Sequence, residues 1–260
     1  MIKAIFFDID GTLVSLKTKV YPASTKAALE RLHEKGILLF VATGRSRFEI
    51  ESEGLLGGLY FDGYLTNNGQ DGYDKDGNTI YGRPITAEDA RILFDWAKER
   101  NYPCWAVSEK ESLLSFRDEN ADRAFEAIHT RLPKIGDIYA MLDDPIYKIV
   151  LFQPKEVVAE AVKRTNYCRT TQWFDLGHDV ISVDGGKKYA MLHVLADLGI
   201  SPEECMSFGD SENDIEMLQA SGIGVAMGNA TEEDKAAADY VTDDCDDDGL
   251  LHALEHFGIL

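Results

Sequence analysis

FFDIDGTLV, residues 6–14, sets two aspartates two positions apart directly behind an apolar stretch that begins at Ala4. Ala4 to Phe7, with Ile9, read as a buried strand, and Gly11 permits the sharp exit that such a strand needs. Asp8 and Asp10 then stand at the strand's carboxyl end. In extended backbone, residues i and i+2 project to the same side, so the spacing predicts that the two acids share one small volume. Carboxylates so placed repel each other, and a hard divalent cation is the usual relief. A lone D-x-D-G reads equally well as a turn with two solvated aspartates, so the rest of the chain decides.

The chain has 260 residues, enough for one large or two modest domains. Lys and Arg number 26 against 46 acidic residues, a net charge of −20 that argues against nucleic acid and anionic membrane as partners. An anionic substrate therefore needs local positive charge. Cys104, Cys168, Cys205 and Cys245 show no paired spacing, so reduced thiols are expected rather than a zinc site or a disulfide framework. The amino terminus lacks the pattern of a secretory signal, and the longest unbroken apolar run, Ile37 to Ala42, is too short to span a bilayer. A soluble cytoplasmic protein is the expectation.

Apolar strands alternate with amphipathic helical stretches through the first third, the pattern of a parallel sheet wrapped by helices. Pro22 and Ser24 open a helix that Gly36 closes, ILLFVA (37–42) is a strand, Arg47 to Glu53 a helix, and Tyr64 to Thr66 a strand. Asp71 to Pro84 then reads as a hairpin around DKDGN, an exit from the sheet. Residues 84–182 are expected to form a separate α+β module, with helices Ala87 to Arg100, Glu119 to Arg131 and Lys155 to Lys163. Its strands are expected around Trp105, Leu113 to Phe116, Tyr147 to Phe152 and Val180 to Val183. Afterwards the alternation resumes: helix Lys187 to Leu198, strand CMSF (205–208), helix Asp214 to Ala220, strand GIGVAM (222–227) and helix Glu232 to Ala238. The economical reading is a doubly wound α/β core, residues 1–83 and 183–260, with residues 84–182 inserted.

Three further strand ends carry polar residues suited to Asp8 and Asp10. Thr43-Gly44-Arg45 brings a hydroxyl and a flexible backbone to a helix start, which suits a phosphate as well as it suits a plain cap. Lys187 opens a helix against the macrodipole, which favours a functional reason over a solvated surface lysine. Asp210, Asn213 and Asp214 crowd one turn behind CMSF, as an N-cap or as oxygen donors for a hard cation. Open α/β sheets bind ligands at the carboxyl ends of their strands, so these clusters are expected to converge on one crevice. The acidic run DDCDDDG (243–249) reads as a solvated loop.

Asp8-x-Asp10-Gly11-Thr12, Thr43-Gly44-Arg45, Lys187 and Gly209-Asp210-x-x-Asn213-Asp214 resemble the four motifs of the haloacid dehalogenase-like hydrolase superfamily. TNNG (66–69), GVAMGNA (224–230) and the place of the insertion are similar to its Cof-type sugar-phosphate phosphatases. The chain departs from that pattern in carrying Lys188 after the motif lysine and Asp184 where glycine is common. Spacing from Ala190 and Asp179 assigns the motif role to Lys187, with Lys188 as the alternative.

The resemblance implies a Rossmann-like core with an α+β cap, and Mg2+ bound by Asp8, Asp210 and the Asp10 carbonyl. Asn213 and Asp214 would orient that shell or reach the metal through water. It further implies hydrolysis of small phosphate monoesters, sugar phosphates in particular, through an aspartyl-phosphate on Asp8. Asp10 would serve as general acid and base, and Thr43, Gly44 and Lys187 would hold the transferring oxygens. Arg45 and Asn68, beside motif positions, are further candidates for phosphate or substrate contact. Trp105, Arg117, Lys148, Trp173 and His178 are candidates in the insertion, which would close over the crevice. A phosphosugar mutase and a phospho-aspartate switch remain as alternatives; accumulating phosphate would favour hydrolysis over the mutase, and a long-lived aspartyl-phosphate would favour the switch.

Overall fold

Ala4–Phe7 is strand β1, and all four of its side chains are buried. An apolar run with no polar alternation needs cover on both faces, which a parallel strand between helix layers receives. The computed structural model describes residues 1–108, 111–128 and 132–260. The chain divides into two compact units, Met1–Gly82 with Gly186–Leu260, and Arg83–Gly185.

In chain order the first unit begins with β1, α1 (Ala23–Glu34), β2 (Leu38–Ala42), α2 (Arg47–Glu53), β3 (Gly63–Thr66), β4 (Asp71–Asp74) and β5 (Thr79–Gly82). The second unit supplies α3 (Ala87–Glu99), β6 (Cys104–Ser108), β7 (Ser112–Leu114), α4 (Glu119–Ile128), β8 (Lys134–Ile135), β9 (Ile146–Leu151), α5 (Lys155–Val162), β10 (Cys168–Phe174) and β11 (Gly177–Ser182). The first unit resumes with α6 (Lys187–Asp197), β12 (Cys205–Gly209), α7 (Ile215–Ala220), β13 (Ile223–Ala226), α8 (Glu232–Ala237), β14 (Tyr240–Val241) and α9 (Gly249–His256).

Its sheet runs β14-β13-β12-β1-β2-β3-β4-β5, parallel as far as β3 and closed by the antiparallel β4–β5 hairpin. Alternate residues of β1 face opposite layers. Ile5 and Phe7 pack with Leu29 and Leu32 of α1 and Leu250 and Leu254 of α9, while Ala4 and Phe6 pack with Met191, Val194 and Leu195 of α6. This is the doubly wound α/β arrangement, with Asp8 just beyond the carboxyl end of a central strand.

The second unit holds a sheet of order β10-β11-β9-β6-β7-β8, antiparallel apart from the β7–β8 pair. One of its faces packs under α3 and α5, through Leu93, Phe94, Ala97 and Val158. The helix expected over 119–131 runs Glu119–Ile128, and residues 129–131 lie outside the described residues. Strand β10 was not anticipated: it is an edge strand paired with β11, all seven residues are half-buried, and such an edge leaves no apolar alternation to read. Among the described residues, no helix is long and apolar enough to cross a membrane.

Candidate active site

Asp8 leaves β1 with its N–H donated to the Phe208 carbonyl at 3.1 Å and its side chain buried. Lys187, the first residue of α6, reaches it from the opposite layer. The Lys187 Nζ lies 2.7 Å from Asp8 Oδ1 and 2.7 Å from Asp214 Oδ1, with the lysine side chain 1% exposed. The loop after β3 fixes where this helix begins. Gly69 has φ +68°, and a Cβ there would lie 2.6 Å from the Gly186 carbonyl carbon, so only glycine lets the two segments meet.

Asp214 is held from its other oxygen, which accepts the N–H groups of Asp210 and Ser211 at 3.2 and 3.3 Å. Asp210 accepts the Thr12 hydroxyl at 3.3 Å. Gly11 makes room for it: with φ +86°, a Cβ on Gly11 would sit 2.2 Å from Asp210 Oδ2. Carboxylate oxygens of Asp8, Asp210 and Asp214 thus all lie within 4.8 Å of one another.

Three buried carboxylates face one ammonium in this group. Burial pushes Asp8 above the ordinary carboxylate range against the pull of Lys187, and Asp214 and Asp10 add repulsion. Burial also raises Asp210, with repulsion from Asp8 and Asp214. For Lys187, burial alone would lower the ammonium, but Asp214 and Asp8 outweigh it and hold the group above its usual value. An all-oxygen donor set with surplus negative charge fits a hard divalent cation such as Mg2+.

The Asp10 carboxylate lies outside the three acids drawn within 4.8 Å of one another, though near enough to repel Asp8. Its two oxygens accept from Arg45 Nε at 2.6 Å and Nη2 at 2.9 Å, and Arg45 Nη1 reaches Glu53 at 2.8 Å. Because β1 ends at Phe7, the same-side rule for extended residues lapses between Asp8 and Asp10. Each acid consequently has its own cation, Lys187 for Asp8 and Arg45 for Asp10.

Thr43 follows β2, buried, with its hydroxyl accepting the Arg45 N–H at 3.1 Å and its carbonyl accepting the Asn68 N–H at 2.9 Å. A Cβ on Gly44 would lie 3.1 Å from Asn68 Oδ1, and the same oxygen accepts Asn213 Nδ2 at 2.8 Å. Asn68 therefore ties the Thr43–Arg45 turn to the turn after β12. Asn213 Oδ1 accepts the Ser211 hydroxyl at 2.9 Å, so both ends of its amide are engaged within the protein. Asn67 and Asn68 both have positive φ, two residues of strained backbone ahead of Gly69, which adopts that region freely.

The alternative lysine, Lys188, lies over the ring of Tyr189 instead. In the second unit, Trp105 is buried, donates to Ser112 and packs against Phe125, while Trp173 donates to Asp179 at 2.8 Å. Lys148 lies over the Trp105 ring, His178 is buried, and Arg117 pairs with Asp122 at the surface. Glu53 and Asn229 were not anticipated as neighbours of the site. Asn229 donates to the Gly11 carbonyl, and its one sequence signal was its place in GVAMGNA.

A parallel α/β core whose strand ends bring carboxylates to a buried lysine, beside a hydroxyl-and-amide turn, defines an enzyme class of phosphoryl chemistry. A family model described as haloacid dehalogenase-like hydrolase matches residues 5–254. The chain belongs to that family, and within it is a phosphoric monoester hydrolase. It is 30% identical to the putative phosphatase YkrA of Bacillus subtilis, covering 99% of this chain and 98% of that one. A putative bifunctional phosphatase/peptidyl-prolyl cis-trans isomerase of Streptococcus pyogenes is 29% identical over 100% of this chain, which spans only 54% of that protein's length. Among solved structures, the subclass IIB sugar phosphatase BT4131 matches with a TM-score of 0.86 at 35% identity, over 99% of this chain and 100% of that one.

Proposed function

We propose that this phosphatase is magnesium-dependent and hydrolyses small phosphorylated metabolites, sugar phosphates such as hexose phosphates, through an aspartyl-phosphate on Asp8. The observation that carries the reading is the buried group in which Lys187 bridges Asp8 and Asp214 beside Asp210. The likeness to a sugar phosphatase supports the substrate class. Four free cysteines are in keeping with a cytoplasmic setting.

Phosphate monoesters resist attack because the phosphoryl oxygens are already anionic, so catalysis rests on positioning and charge neutralisation. Asp8, Asp210 and the Asp10 carbonyl would hold Mg2+, with Asp214 and Asn213 supporting them, and the bound ion would supply positive charge against the phosphoryl oxygens. Asp8 attacks phosphorus; its new O–P bond forms as the bond to the leaving oxygen breaks. Asp10 gives that oxygen a proton and later takes one from the water that hydrolyses the acyl phosphate. To do so Asp10 must leave Arg45, whose guanidinium both of its oxygens face, and take up a proton from solvent before the leaving oxygen departs. The Thr43 hydroxyl, the Gly44 amide and Lys187 hold the transferring oxygens, with Arg45 and Asn68 at the rim of the phosphate site. The inserted unit, residues 83–185, selects the leaving group.

The test is phosphate release from hexose, pentose, triose and nucleotide monophosphates, with and without Mg2+, using Asp8→Asn as control. Turnover that needs Mg2+, favours sugar phosphates and vanishes in Asp8→Asn is expected, because an amide is a poor nucleophile. Full activity in Asp8→Asn would remove Asp8 from its role.

A further inference from the structure

The loop that leaves β13 touches both acidic loops of the site. The Met227 N–H donates to the Gly209 carbonyl at 3.0 Å and the Thr231 N–H to the Asp210 carbonyl at 3.1 Å. Between them, Asn229 Nδ2 donates to the Gly11 carbonyl at 2.8 Å, while Asn229 Oδ1 accepts the Cys245 N–H at 2.9 Å. The contact is tight on the same side that faces the acid: a Cβ on Gly11 would lie 2.2 Å from Asp210 Oδ2 and 3.1 Å from Asn229 Nδ2. Behind the loop, the Gly228 N–H donates to the Asp243 carbonyl at 2.9 Å, and the Cys245 thiol donates to the Thr12 carbonyl at 3.2 Å. Residues 227–231 therefore clamp the Asp8–Thr12 segment and the Asp210 segment to one support.

We infer that Asn229 is a positioning residue for the divalent cation: its amide, by gripping Gly11, sets the separation between the Asp8–Asp10 segment and Asp210, and thereby the affinity for Mg2+. The inference rests on the Mg2+ reading of the site. Asn229 acts through Gly11 and not by touching the ion. Groups that orient ligands from behind typically govern metal affinity by about ten- to a hundredfold. A plain structural clip would instead alter folding and leave the affinity of the folded protein alone.

The experiment titrates Mg2+ alone into the metal-free full-length protein by calorimetry, for wild type, Asn229→Ala and Asn229→Asp, with circular dichroism to establish folding. Asn229→Asp is nearly isosteric and keeps the acceptor for the Cys245 N–H, so it provides a folded variant if the alanine change does not. Its added negative charge would by itself tighten cation binding, so weakening in this variant reports the lost grip on Gly11. Mg2+ dissociation constants raised about tenfold or more are expected in the variants that fold. Turnover in Asn229→Asp should recover at high Mg2+. A folded variant with wild-type Mg2+ affinity would overturn the inference. Wild-type protein that binds no Mg2+ would overturn the metal reading itself, and this inference with it.

Discussion

The Lys187 ammonium divides its hydrogen bonds between Asp8 and Asp214, and its removal leaves three carboxylates facing one another in a buried site. Breaking a buried ion pair from one side typically costs about 3–5 kcal/mol, so Lys187→Met should lose stability on that scale in EDTA, measured by urea unfolding. Mg2+ should restore part of the loss, while phosphate release stays at least about a hundredfold below wild type. Asp210→Asn carries the opposite sign. One repelling, desolvated charge disappears, so its melting temperature in EDTA should exceed that of wild type, and Mg2+ should no longer shift it. An Asp210→Asn protein that melts lower in EDTA would show that repulsion is not what that carboxylate contributes. The gathering of acids far apart in the chain was legible because each follows an apolar run, and parallel strands deliver their ends to one edge. Which cation serves which acid was not legible: no spacing in the sequence pairs Arg45 with Asp10 or Lys187 with Asp8.

The loop Thr66–Gln70 joins β3 to β4 and sets where α6 begins, because Gly69 meets Gly186 and Lys187 without a side chain between them. Gly69→Ala adds a Cβ at φ +68°, 2.6 Å from backbone, and must push the start of α6 away. The expected result is a fall in kcat as Lys187 leaves Asp8, with secondary structure retained by circular dichroism. In the second unit, the Asp89 side chain, fully buried at the start of α3, accepts the N–H groups of Asn166 and Tyr167 at 2.8 and 3.0 Å. Asp89→Ala strands these donors and should cost about 2–4 kcal/mol in urea unfolding, and Asp89→Asn less, since one acceptor survives. Helices and most central strands were legible from their periodicity to within a residue or two, although β11 begins at Gly177, three residues before the expected Val180. The edge strand β10 and the helix α9 were not: β10 lacks an apolar face, and the acidic run before Gly249 masked the start of α9.

Each unit has a hydrophobic core of its own, and Trp96, Trp105 and Trp173 all belong to residues 83–185. Tryptophan fluorescence therefore follows the second unit alone, whereas far-ultraviolet circular dichroism follows both. The candidate cation site lies entirely in the first unit, so added Mg2+ should raise the dichroism midpoint more than the fluorescence midpoint in thermal melts. Equal shifts would show that the units unfold as one body. The doubly wound class was legible from alternation alone, whereas the order of strands became visible only in the fold. Central β1 is flanked by β2, close in sequence, and by β12, which pairs Ala4 with Cys205. On the ribosome, residues 83–185 emerge as an uninterrupted stretch and are free to fold while the sheet around β1 still lacks one neighbour. Until Cys205 arrives, that strand is an open edge, and a polypeptide terminated early would offer it to other chains as a template for aggregation.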